Sequence, residues 1–142
     1  MGALDESRTL RPAPIVQPES QAYWDGARQG RLVLQRCAAC DTWIHPPRFS
    51  CPECLHGDLV ATPATGHGTV FAWSVMHQPG VPGFDEQIPY AVVLIELSEQ
   101  PGLLAVGQVV DCAPDELRTG MAVEVCFEER GDLVLPQWRQ RR

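Results

Sequence analysis

The hydrophobic pattern of this chain changes character about halfway along. From Thr69 onwards it reads as strand after strand. Thr69–His77 (T-V-F-A-W-S-V-M-H) alternates, with Val70, Ala72, Ser74 and Met76 on one face and Phe71, Trp73 and Val75 on the other, so both faces are largely apolar. Tyr90–Leu97 (Y-A-V-V-L-I-E-L) is nearly all apolar, the expectation for a central strand covered on both sides. Leu103–Val110 follows a Pro101-Gly102 turn, Ala122–Glu128 alternates around Val123, Val125 and Phe127, and Gly131-Asp132 is a turn ahead of Leu133–Trp138. Five strands with little helix predict a small closed barrel, and five is the strand count of an OB-fold. The connection Asp111–Gly120 has room for a short helix.

The first half is more varied. Residues 1–16 are rich in Pro and Arg, lack a period, and read as a flexible arm. Over 17–30 a helix is predicted from Pro18, suited to a first turn, to Gln29, with Gly30 placed for a left-handed cap. Its apolar members Ala22, Tyr23, Trp24 and Ala27 are too few for a broad core face. Arg31–Arg36 (R-L-V-L-Q-R) alternates as a strand and feeds into Cys37; Trp43-Ile44-His45 is a second short strand, stopped by Pro46-Pro47. The predicted organisation is mainly β: arm 1–16, N-terminal helix 17–30, a cysteine-bearing ribbon 31–57 and a barrel over 58–142.

The cysteines give the ribbon its chemistry. Cys37-x-x-Cys40 and Cys51-x-x-Cys54 are two matched pairs separated by ten residues. A two-residue gap lets a tight turn aim two sulfurs at one ion, and two facing knuckles complete a tetrahedral site of four thiolates. Disulfides would need an oxidising compartment, and a redox pair would be single. One zinc ion per chain is the expectation. Iron of the rubredoxin type uses the same ligands and is not separated from zinc by sequence. With all four positions filled by protein the metal is structural rather than catalytic. Cys112 and Cys126 have no partner motif and read as buried small apolar residues.

Charge narrows the function. The 142-residue chain has 18 acidic against 11 basic residues, for a net charge of -7; all the basic residues are Arg. Between Arg48 and Arg118, across the central strands, there is no Lys or Arg. A nucleic-acid OB-fold should carry basic residues around exposed aromatics, so that alternative is disfavoured. No apolar run approaches the roughly eighteen residues that span a bilayer, and the acidic start lacks a secretory h-region. The expected location is the cytoplasm.

The run Tyr23-Trp24, Gly30, Leu32, Gln35-Arg36-Cys37, Cys40, Pro46-Pro47-Arg48, Cys51-Pro52-Glu53-Cys54 resembles the opening of the zinc-ribbon OB-fold proteins, the DUF35 or acyl-CoA-associated OB-fold family. Gly66-x-Gly68, Pro89-Tyr90, Glu96, Gly107, Gly120-Met121, Val123-x-Val125 and Pro136 extend the resemblance over about residues 18 to 138. It implies an N-terminal helix, a rubredoxin-like zinc ribbon and a five-stranded OB-fold barrel. It also implies a non-catalytic accessory subunit of a thiolase-like enzyme, or of a hot-dog-fold hydratase, that helps hold acyl-CoA and assemble its partner. In steroid side-chain degradation such a partner acts as a retro-aldolase. Two copies around a partner dimer is the expected assembly.

The side chains give no catalytic set of their own. No Ser or Cys sits in a nucleophile elbow, and Gly66-His67-Gly68 is too short for a phosphate loop. His45 and His56 flank the knuckles, and His77 ends a strand. Coenzyme A carries phosphates and adenine, so its site wants guanidinium groups and aromatic surface. Arg48, Arg36 and Trp43 are candidates on the ribbon, and Tyr23 and Trp24 on the helix. The competing roles are bracing the ribbon for Arg48, and packing for at least one of the two aromatics.

Overall fold

The computed structural model describes residues 11–78, 80, 82–84 and 87–142. Residues 1–10 of the expected arm lie outside this set, and of the remainder Arg11 is buried. A 3-10 turn, Pro18–Ser20, leads into helix α1, Gln21–Arg28. Gly30, at φ +72°, ends it in the left-handed conformation that a side chain would resist. Only Gly26 and Ala27 of α1 are buried, in keeping with its narrow apolar face.

Strands β1 (Val33–Cys37), β2 (Trp43–Ile44) and β3 (Leu59–Pro63) form an antiparallel sheet in the order β2-β1-β3. The third strand was not foreseen. Its pattern, with Val60 and Ala61 both exposed, gives no clean alternation, and it is recruited by five register pairs to β1. The ribbon's sheet therefore runs on to Pro63.

The second sheet contains β4 (His67–Met76), β5 (Tyr90–Leu97), β6 (Leu104–Gly107), β7 (Val109–Val110), β8 (Ala122–Arg130) and β9 (Leu133–Gln140), in the order β6-β5-β4-β8-β9-β7. Its two outer members, β6 and β7, are one stretch of chain broken only at Gln108. Before the break the stretch pairs with β5; after it, β7 runs parallel to β9. At the break Gln108 N–H donates to the Gln137 side chain (2.9 Å), and Trp138 N–H donates to Gln108 C=O (2.9 Å). The outer members are thus one segment of chain, but the ladder does not close into the continuous barrel that the strand count predicts, because the segment changes partner at Gln108. The single third strand expected over Leu103–Val110 is replaced by this split pair.

Three further expectations are corrected. A bulge between Val70 and Ala72 shifts the parity of β4. Val70, Trp73 and Val75 pair with Ile95, Val93 and Ala91, so Val70 does not share a face with Ala72, Ser74 and Met76. Strand β5 is not covered on both sides: Val93, Ile95 and Leu97 are buried, whereas Val92 is 37% exposed. Cys112 and Cys126 are only partly buried. The connection after β7, where a short helix had room, holds the 3-10 helix Pro114–Glu116.

The core joins both halves. Leu32 and Leu34 pack with Val70, Val93, Ile95, Val123 and Trp138, so β1 and the residue ahead of it share the core of the second sheet. Helix α1 lies against β1 and β9. Each fully buried aliphatic side chain of this set contributes about 1.5–3 kcal/mol. No helix among the described residues is long and apolar enough to cross a membrane.

Candidate metal centre

The two cysteine pairs fold as near copies of each other. In the first, Asp41 N–H donates to Cys37 C=O and Cys37 N–H to Thr42 C=O; in the second, Leu55 N–H donates to Cys51 C=O and Cys51 N–H to His56 C=O, all at 2.9 Å. Asp41 (φ 63°) and Leu55 (φ 66°), one residue past the second cysteine of each pair, are left-handed. This is the sharp reversal that turns both sulfurs of a pair the same way.

The four Sγ atoms lie within 4.8 Å of one another. The Cys37–Cys54 and Cys40–Cys51 sulfurs are each 3.6 Å apart. A tetrahedral ion with metal–sulfur bonds of about 2.3 Å has sulfur–sulfur edges of about 3.8 Å, so the cluster already has the dimensions of a four-thiolate site. Cys37 and Cys51 are buried, with Ile44 and Leu59 beside them; Cys40 and Cys54 are exposed. The Thr42 hydroxyl, 3.0 Å from Cys40 Sγ, together with the Thr42 backbone, lowers that thiol to about 6. Glu53 N–H donates to Cys51 Sγ at 3.4 Å. A closed set of thiolates suits a structural ion of zinc or iron and offers no open position to a substrate.

Two glutamines fix the ribbon's flanks. The Gln35 amide accepts from Arg48 N–H (2.7 Å) and donates to Arg48 C=O (2.9 Å). The Gln100 amide, from the β5–β6 turn, accepts from Trp43 N–H (2.9 Å) and donates to Trp43 C=O (3.1 Å). Sequence reading passed over both bridging roles. Gln35 stood in the quoted run, while nothing local marks Gln100.

The candidate ligand-binding residues fall into separate groups. Arg36 lies over the Trp43 ring at 5.2 Å and donates to Asp41 C=O (3.2 Å). Tyr23 and Trp24 meet edge to face at 4.9 Å, and Tyr23 tilts against His45 at 5.3 Å. Tyr23 and Trp43 both pack against the barrel core, so packing accounts for each. Burial pushes the Tyr23 hydroxyl up to about 12 and lowers His45 to about 4, and His45 Nδ1 is buried with no partner among the described residues. Arg48 is exposed beside Phe49, itself 73% exposed, and its backbone is tied down by Gln35. Among the described residues no hydrogen bond or ring contact joins the Arg36–Trp43 pair to Tyr23, Trp24 or the Arg48 side chain.

Comparison with known proteins agrees with this architecture. Residues 24–60 match the model described as "ChsH2, rubredoxin-like zinc ribbon domain", and residues 61–128 match "ChsH2, C-terminal OB-fold domain". A probable enoyl-CoA hydratase alpha subunit of Thermomonospora curvata is 40% identical over 133 residues, 93% of this chain and 40% of that one. The chain thus spans about two-fifths of the length of that relative. A DUF35 domain-containing scaffold protein of Methanocaldococcus jannaschii is 37% identical over 105 residues, 71% of this chain and 72% of that one. Among solved structures, one described as an Ltp2-ChsH2(DUF35) aldolase matches at 39% identity with a TM-score of 0.79, covering 90% of this chain and 98% of its own. The chain belongs to the DUF35 family, with the zinc-ribbon and OB-fold domains of the ChsH2 type.

Proposed function

We propose that this protein is a non-catalytic accessory subunit. It binds a thiolase-like enzyme, a thiolase or retro-aldolase acting on acyl-CoA or steroid side chains, helps assemble it and helps hold its acyl-CoA substrate. The observation that carries this reading is the 39% identical chain within an Ltp2-ChsH2(DUF35) aldolase, matched over 90% of this chain. The chain's own chemistry supports it from the other side, because its four thiols suit a closed structural ion. Cys37, Cys40, Cys51 and Cys54 would hold that ion, zinc in our reading, one per chain, and it would brace the ribbon. A cytoplasmic setting keeps such thiols reduced.

For acyl-CoA, Arg48 is the best placed of the candidates. Its guanidinium is exposed beside Phe49 while Gln35 pins its backbone, a combination suited to a phosphate and an adenine ring. Arg36 and Trp43 would extend this surface. Tyr23 and Trp24 would act by shaping the helix. The deciding experiment is affinity capture of the tagged chain from its source organism with mass spectrometry. A thiolase-like enzyme at near-stoichiometric yield, in a two-to-two assembly by native mass, is expected. Recovery of nucleic-acid machinery lost on nuclease treatment would overturn the reading.

A second partner class has its own support: the relative named as a probable enoyl-CoA hydratase alpha subunit is longer than this chain and aligns with 93% of this chain's length. A hot-dog-fold hydratase in the same capture experiment would favour that partner.

A further inference from the structure

Three concavities of the barrel converge on Gln108, where β6 gives way to β7. Two of them, about 390 and 250 Å³, share Arg11, Gln108 and Gln137. They lie between the β4–β5 connection, which supplies Phe84 and Gln87, and the β8–β9 end, which supplies Glu128, Arg130 and Leu135. In OB-folds the second and third strands, with these two connections, form the ligand face.

Here that face is filled from within the chain. The Arg11 side chain is only 5% exposed, and its Nη2 reaches Glu128 Oε1 at 3.4 Å. Its guanidinium stands 5.6 Å from the Phe84 ring centroid, and Phe84 in turn lies 5.1 Å from the Tyr90 ring. Arg130 Nη2 donates to the carbonyl oxygens of Arg11 and Pro12, the second at 3.1 Å. An aromatic face and a carboxylate therefore read a guanidinium, and a second guanidinium reads the peptide carbonyls at and after that residue. The fit leaves slack. A 3.4 Å ion pair is long, and Arg11 Nε is buried without an acceptor among the described residues.

We propose that this groove is an arginine-reading peptide site held shut in cis by Arg11 and Pro12, so that the barrel's ligand face opens only when that segment leaves. The site takes an extended peptide carrying one arginine, and residues 11 and 12 are its resident occupant. This inference does not depend on the partner enzyme or the metal.

The test uses the full chain carrying Arg11→Ala and a synthetic peptide of residues 8–16. A tethered segment has an effective concentration on the order of millimolar, so the peptide is titrated through that range and followed by amide NMR. Saturable shifts at Phe84, Tyr90 and Arg130 are expected in Arg11→Ala, with binding at least about tenfold weaker to the wild-type chain. The same peptide with Ala at position 11 should bind the variant at least about tenfold more weakly than the arginine peptide. Absence of saturable shifts, or equal binding of the two peptides, overturns the proposal. Should Arg11→Ala fail to fold, the wild-type chain decides. Its Arg11 Nε–H should give a resolved, slowly exchanging resonance that Phe84→Leu displaces. A solvent-averaged Nε–H signal would refute the docked arginine.

Discussion

Gly66 stands where the ribbon sheet hands over to the barrel, just ahead of β4, and two separable costs meet in the substitution Gly66→Ala. The first is conformational: at φ +79° an L-residue is strained by about 1–2 kcal/mol. The second is steric. A Cβ at this position would lie 2.5 Å from Val125 Cγ1, well inside the usual 3.5–4.0 Å contact. Val125 cannot retreat easily, because its backbone N–H donates to Gly66 C=O at 2.7 Å and its side chain packs against the core. Overpacking of this kind costs about 1–3 kcal/mol, so Gly66→Ala should destabilise by about 2–5 kcal/mol in all. The clash disappears in a Val125→Ala background, since the next contact, to Val125 Cβ, is an ordinary 3.5 Å. There Gly66→Ala should cost only the strain, leaving a coupling of about 1–3 kcal/mol in the double-mutant cycle. Urea unfolding of the four metal-loaded proteins gives this number directly. Additivity within about 0.5 kcal/mol would show that Val125 does not occupy the space Gly66 leaves, and the reasoning would fail.

Other outcomes can be checked separately. Cys51→Ser removes a fully buried ligand and should drop bound metal from one equivalent to near zero by elemental analysis, while near-ultraviolet dichroism of the barrel persists; a colourless loaded protein would identify zinc, a red one iron. Leu55→Asn keeps the left-handed turn with a residue that tolerates it and removes an apolar side chain that is 78% exposed, so stability should rise by about 0.5–1 kcal/mol in a denaturant melt. For His45, burial lowers the folded value from 6.5 to about 4. The unfolded chain therefore binds more protons between those values, and stability is full above pH 6.5 and declines as pH falls towards 4. Going from pH 7 to 5.5 should cost about 1 kcal/mol through this group, and His45→Gln should remove that part of the slope.

Local signals made the main features of this fold legible. Pro18 and Gly30 bracket the helix because one fits a first turn and the other a left-handed cap, and both effects act within a few residues. The cysteine pairs signalled that four sulfurs converge because two-residue spacing is itself the geometry of a knuckle. What escaped was decided by distant chain. Strand β3 exists because β1 offers it a ladder, not because Leu59–Pro63 alternates. The bulge at Phe71 inverts one half of β4 relative to the other, and no residue there advertises it. The break at Gln108 is set by competition between β5 and β9 for the same backbone. Arg11 belonged to a segment whose composition reads as loose, yet partners more than a hundred residues away hold it. Of the candidate ligand residues, Tyr23 packs as one of the helix's two aromatics was expected to, whereas Trp43 was legible as an aromatic but not as core, because its burial depends on what arrives from the barrel.

The Gln100 side chain has a meaning beyond tying ribbon to barrel. Strand β2 is only two residues long and lies at the outside of its sheet, where an unmatched N–H and C=O invite a strand from another molecule to pair. Trp43 has both groups satisfied by one primary amide, which imitates a neighbouring peptide unit without supplying a further edge. The ribbon is in this way terminated on that side by a single side chain. Glu in place of Gln100 would keep an acceptor for Trp43 N–H but lose the donor to Trp43 C=O, leaving that carbonyl open to a strand from another molecule.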